Sequence, residues 1–244
     1  MVSQPEPKTD VSSPYQELAD KYKLKIDFRP FIQVVGVDVA DFRKDKVNLA
    51  EFTAVIFTSR NAVDHFFRMC EDMRVAVSNE MKYFCQSEAV AYYLQKYVVY
   101  RKRKIYFGQN RFKDLLSYLK KHKDEKFLLP SSDVLKPDIP EALDAAEINY
   151  TRAVLYRTVS SDLSDLKDVY YDILIFFSPS GIKSLFENFP DFKQNDTRIA
   201  VFGPTTTKEA EDHGLRIDIS APSPKFPSMT MAIEDYVKQA NKGK

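Results

Sequence analysis

Ser59 and Ser178 each end a short apolar run and stand three residues before a small one: residues 55–63 read VIFTSRNAV and residues 174–182 read LIFFSPSGI. A hydroxyl in that place can cap the helix that follows, a contribution of about 1 kcal/mol. It can also join the open N–H groups of a helix N-terminus in holding a carboxylate or phosphate. A second pair behaves alike, YFCQSEAVAYYL (83–94) and VFGPTTTKEAED (201–212), with Thr205 and Thr206 in the turn. Both pairs recur at nearly one offset, about half the chain, which points to two similar domains. Two facing sheets with hydroxyl-lined rims would form a cleft for several anionic groups. Gly203 suits a turn closed to larger residues, Pro204 fixes the helix start, and Gly181 is read as a place of close approach.

The elements that must position these residues alternate along 244 residues, a length comfortable for two cores. Strands are expected at 53–59, 82–85, 104–107, 126–130, 172–178, 198–202 and 216–220, nearly all continuous apolar runs of the kind covered on both faces in parallel sheets. Helices follow them. In NAVDHFFRMCEDM, Ala62, Val63, Phe66, Phe67 and Cys70 share one face. Pro14 behind Ser13 opens another helix, Gly214 closes a later one, and Ser228 caps the last. Two longer β-rich segments break the pattern, LKIDFRPFIQVVGV (24–37) and INYTRAVLYRTV (148–159). Crossings there explain their length. The expected division is a discontinuous α/β domain, 1–34 plus 159–244, and an inserted α/β domain, 35–158, with linker strands at about 25–36 and 150–159.

Composition sets limits on function. With 36 basic and 35 acidic residues the net charge is +1, so no general field favours nucleic acid or a membrane surface. The basic run YRKRKIYF (100–107) reads as a solvated edge. No apolar run is long enough to cross a bilayer and MVSQPEPKTD has no apolar signal core, so a cytoplasmic protein is expected. Cys70 and Cys85 lack Cys or His neighbours at metal-ligand spacing and read as structural thiols. Neither a phosphate-binding P-loop nor a dinucleotide fingerprint is present.

FTSRNAV, FFSPSGI, FGPTTTKEAEDHGL and APSPKFPSMTMAI, in this order and spacing, resemble uroporphyrinogen-III synthases, with AVLYRT (153–158) at the return crossing. The resemblance runs through essentially the whole chain. It implies two flavodoxin-like parallel-sheet domains joined by a two-stranded β linker. It also implies closure of hydroxymethylbilane, a linear tetrapyrrole, to uroporphyrinogen III with inversion of ring D and loss of water, by a monomer that uses no metal or organic cofactor. In such a reaction the enzyme's main task is to fold the substrate so that the inverted closure is nearest to hand.

The same resemblance implies that Tyr156 delivers a proton to the departing hydroxyl. A phenol with its usual pKa near 10 is protonated at neutral pH and can do so. Substrate-binding positions implied by the match are Ser59, Arg60 and Asn61 in the first turn, Ser178 and Ser180 in its counterpart, and Gly203, Thr205 and Thr206 in the last. Ser131 and Ser132, in LLPSSDVLK, end a further strand, and Arg29 and Arg157 in the linkers are candidate carboxylate partners. The chain also departs from the family pattern. CQSEA carries Cys85 where a glycine is usual and Glu88 near a usual threonine, leaving Ser87 to supply the hydroxyl, and Gln4 stands where a cation is expected. These departures motivate an alternative, a non-catalytic tetrapyrrole- or anion-binding relative. A flavin or nucleotide module rests on fold analogy alone.

Overall fold

The computed structural model describes residues 1–7, 13–109, 111–135 and 137–241. In chain order the elements are α1 (Pro14–Tyr22), β1 (Ile32–Gly36), α2 (Val39–Phe42), β2 (Ala54–Phe57), α3 (Arg60–Asp72), β3 (Lys82–Cys85), α4 (Glu88–Leu94), β4 (Ile105–Phe107) and α5 (Leu116–Lys120). They continue with β5 (Phe127–Ser132), α6 (Asp138–Ala145), β6 (Tyr150–Ser160), β7 (Ile173–Phe176), α7 (Pro179–Asn188), β8 (Arg198–Phe202), α8 (Pro204–Asp212), β9 (Ile217–Ala221) and α9 (Met229–Asn241). No helix among the described residues is long and apolar enough to cross a membrane. The chain divides into two compact units, Met1–Gln33 with Val159–Lys244, and Val34–Thr158.

The second unit is built on a sheet ordered β1-β6-β5-β2-β3-β4. β2 pairs in parallel with β3 and β5, β3 with β4, and β5 with β6. β2 is buried along its whole length, which explains its run of Ala54, Val55, Ile56 and Phe57: both faces are covered. Val55 and Phe57 join one core with Val63, Phe66 and Met69 of α3, while Ala54 and Ile56 join a second with Leu115, Leu119 and Leu143. The winding runs outward from β2 through β3 to β4, then returns to the other side for β5 and β6. The reversal lies between β2 and β5, where an open α/β sheet gathers its ligands.

The first unit carries the parallel sheet β7-β8-β9. Val2 extends it by single parallel bridges to Ile175 on one side and Phe28 on the other. Taken with those bridges, the order by sequence is second, first, third, fourth, fifth, the flavodoxin-like winding, with its reversal between Val2 and β7. A strand was expected from about residue 25, yet regular pairing begins only at Ile32. Pro30 has no N–H to give a ladder, and Phe28 is left with its bridge.

The caps follow sequence logic. Ser13 accepts the Tyr15 N–H at 3.3 Å ahead of Pro14, Ser228 accepts the Met231 N–H at 3.3 Å, and Gly214 takes φ 72° after α8. Cys70 and Cys85 are unpaired and buried in the β2–α3 core, and burial pushes both thiols up to about 12. Native protein at pH 8 should therefore leave both thiols unreactive toward a colorimetric disulfide reagent until denaturant is added; rapid release of either in buffer alone would contradict this packing.

Candidate active site

β2 delivers its chain end to Thr58 and Ser59, and Ser59 opens α3. Its backbone is extended, and its Oγ accepts the Ala62 N–H at 3.1 Å, satisfying one open donor of the helix start. The same Oγ lies 3.2 Å from the phenol oxygen of Tyr156. Tyr156 reaches it through an irregularity of the β5–β6 ladder: Ser131 faces Val154, but Ser132 faces Tyr156, so Leu155 is an extra residue. With it, Leu155 and Tyr156 both bury on the face that packs against α3, where strict alternation would separate them. Burial raises the pKa of Tyr156, and the Ser59 contact pulls the other way without cancelling it. The phenol is therefore protonated at neutral pH.

Ser59 and Tyr156 line a cavity of about 590 Å³ at the winding reversal, together with Ser131 and Ser132 from the end of β5. The hydroxyls of these two serines are already committed. Ser131 accepts from Arg152 Nε at 2.9 Å and donates to the Ser132 carbonyl at 3.0 Å, and Ser132 donates to the Val134 carbonyl. The cavity also has charges that sequence reasoning passed over. Among the described residues, Arg111 and Lys113, just beyond β4, contribute two cations against the single carboxylate of Asp138. Their only sequence signal was a pair of basic residues opening an amphipathic stretch, a pattern shared with any solvated helix face.

Other expected residues lie elsewhere in this unit. Arg60 sits over the Tyr93 ring, 5.4 Å from its centre, a cation–π contact that draws it along the helix surface. Asn61 is exposed on the first turn of α3, and Ser87 accepts the Val90 N–H at 3.4 Å as the cap of α4. None of the three lines the cavity.

In the first unit, Ser178 caps α7 by accepting the Gly181 N–H at 3.2 Å and lines a cavity of about 480 Å³ with Ser3, Gln4, Pro5, Ile32 and Phe177. This too lies at a winding reversal. Ser180 is half-buried and outside that lining. A methyl group at Gly181 would meet Phe176 at 3.4 Å and Ser3 Oγ at 3.7 Å, ordinary contacts, so the expected close approach is not what this glycine provides. Gly203 does have a backbone reason, φ 87° and ψ 154°, with its N–H donating to the Ala221 carbonyl at 2.7 Å. Thr205 is exposed beside it, whereas Thr206 is buried and its hydroxyl has no partner among the described residues. Arg29 is engaged with Asp165 at 2.7 Å and the Asp162 carbonyl at 3.1 Å, and Arg157 is exposed. Among the described residues no group of three or more His, Cys, Asp or Glu is placed to hold a metal.

The family model described as uroporphyrinogen-III synthase HemD matches residues 13–231. A candidate uroporphyrinogen-III synthase of Methanothermobacter thermautotrophicus is 40% identical over 52 residues, a match that spans 20% of this chain and 21% of that protein. Among solved structures, uroporphyrinogen-III synthetase from Helicobacter pylori is similar with a TM-score of 0.57 at 20% identity, covering 89% of this chain and 96% of that one. A mutant uroporphyrinogen III synthase from Thermus thermophilus gives a TM-score of 0.51 at 14% identity, covering 94% of each chain. At such identities the two structures speak to fold.

Ser59 serves both a helix start and a buried phenol, so its loss is felt twice. Ser59→Ala should lower the unfolding free energy by about 1–2 kcal/mol in a urea titration, while Ser59→Thr should restore most of it; an unchanged midpoint for Ser59→Ala would show that neither contact contributes.

Proposed function

The chain belongs to the uroporphyrinogen-III synthase family, and we propose that it closes hydroxymethylbilane to uroporphyrinogen III with Tyr156 as the proton donor to the departing hydroxyl. The observation that carries this reading is the protonated phenol at 3.2 Å from Ser59 Oγ, on the wall of a cavity that also holds two cations.

The local hydrogen bonds favour the proton's direction. Ser59 Oγ already accepts from the Ala62 N–H, so its own hydrogen can be given to the Tyr156 oxygen. The phenol hydrogen is then left to point at the substrate. As the carbon–oxygen bond of the terminal hydroxymethyl group breaks, that hydrogen leaves with the oxygen as water, and the serine stabilises the phenolate that forms. Closure with inversion forms two carbon–carbon bonds to ring D and breaks the one that joined it to its old bridge, a net gain of one, and the proton lost as the pyrrole regains its aromaticity returns to the phenolate. No net acid or base is consumed.

Direction of closure requires a held substrate more than a reactive group. Arg111 and Lys113 suit one or two of its carboxylates, and the open N–H groups at the start of α3 add donors without further positive charge. In the first unit we assign the same binding task to the turn of Ser178 and Ser180 and to that of Gly203, Thr205 and Thr206. Ser87, Arg60 and Asn61 stay within the proposal as contacts that substrate would have to recruit, as do Ser131 and Ser132. The reading includes action by a single copy of the chain, in the cytoplasm, on a small-molecule substrate.

Freshly generated hydroxymethylbilane should yield the type III isomer, and formation of type I alone would overturn the assignment. Tyr156→Phe should lower kcat about 100-fold or more without loss of fold, and the alkaline decline of kcat in the parent protein should lie above tyrosine's usual pH of about 10. Replacing Arg111 and Lys113 together by Gln should raise KM about tenfold while changing kcat far less; a fall in kcat at constant KM would remove them from substrate binding.

A further inference from the structure

Behind Tyr156 lies a set of contacts that neither capping nor core packing explains. The His65 ring stacks on the Tyr156 ring, centroids 5.0 Å apart and planes at 18°, within the range of offset aromatic pairs. His65 Nδ1 accepts from Arg68 Nε at 3.3 Å, one turn further along α3. The same guanidinium donates through Nη2 to the carbonyls of Val37 at 2.9 Å and Leu155 at 3.2 Å, and through Nη1 to Asp72 at 2.7 Å. Gly36 makes room for it: a Cβ there would stand 2.7 Å from Arg68 Cζ.

One guanidinium thus grips the peptide that carries Tyr156 and the ring that lies against its phenol. We propose that His65 and Arg68 are positioning residues that fix the rotation of the Tyr156 ring, so that its hydroxyl stays on Ser59 and aims into the cavity. This rests on the reading of Tyr156 as proton donor and extends it to residues that touch no substrate.

The hydrogen bonding selects the state of His65. Nδ1 can accept from Arg68 only while it carries no hydrogen, which leaves the neutral ring with its hydrogen on Nε2. Burial and the neighbouring Arg68 both hold the His65 pKa below its usual value, against a smaller pull from Asp64. Arg68 engages all three of its nitrogens, with four of its five N–H donors placed, so its long side chain behaves as a rigid strut between α3, the residue that follows β1, and β6. A lysine, with one nitrogen, cannot span those partners.

A double-mutant cycle separates positioning from mere packing. His65→Ala should reduce kcat about ten- to 100-fold with KM within about twofold, because a small displacement of a reacting group is enough to cost that much. His65→Phe, which keeps a flat ring on Tyr156, should recover most of the loss, and Arg68→Lys should resemble His65→Ala. In the Tyr156→Phe background, His65→Ala should cost nothing further, since there is no phenol left to aim. An equal fold-loss in both backgrounds, or a change confined to KM, would overturn the proposal. Ring resonances of Tyr156, followed by NMR in protein labelled at tyrosine, should move in His65→Ala and Arg68→Lys and move less in His65→Phe. Unmoved resonances would overturn it whatever turnover shows. Full activity of Tyr156→Phe, with ring resonances that still move, would instead defeat the donor assignment and leave the strut intact.

Discussion

Parallel pairing is the constraint on which the rest depends. A chain that lays strand after strand in one direction has to return each time through a helix, and every such helix then begins at the same edge of the sheet. In this protein that edge receives the starts of α3 and α4 in one unit and of α7 and α8 in the other. Open N–H groups accumulate there as a geometric necessity. Serine at Ser59, Ser87 and Ser178 answers a folding requirement first, and any affinity for carboxylates is built from what capping leaves over.

Local charge does what global charge does not. The chain as a whole is nearly neutral, at +1, and many of its ions are matched in surface pairs such as Lys21–Glu234 and Arg216–Asp218, which add little to stability. Arg111 and Lys113 differ in sitting at the mouth of a cavity where the winding of the sheet reverses. A phenol suits such a place because it is uncharged when protonated: burial strengthens its hold on the proton, and the Ser59 contact, which favours the phenolate, offsets part of that.

The α/β class was legible from continuous apolar runs such as AVIF and RIAVF, each followed by a hydroxyl or Gly-Pro turn and an amphipathic stretch. The stripe of α3 was legible too, since Ala62, Val63, Phe66 and Cys70 are buried where 3.6-residue periodicity puts them. What stayed hidden depends on contacts between distant residues. Arg60 leans on Tyr93, Ser131 is occupied by Arg152 from the neighbouring strand, and Arg29 is held by Asp165. Arg111 and Lys113 come to Ser59 only through the order β5-β2-β3-β4, which no local pattern announces. Gly36 carries no local signal, because its reason, the Arg68 guanidinium, is 32 positions away.

Leu155, the extra residue opposite the step from Ser131 to Ser132, gives the strand a dependence on length as well as on composition. Deleting one codon at that point would make the ladder more regular and leave every remaining side chain chemically unchanged. It would also drop the tyrosine into the place Leu155 now fills, two residues past Ala153 and so still on the α3 face, but without the Leu155 side chain packed beside it. Relatives that keep the tyrosine but lose the count would hold the phenol on a different support, so alignments of this strand have to be judged by gaps before they are judged by identities.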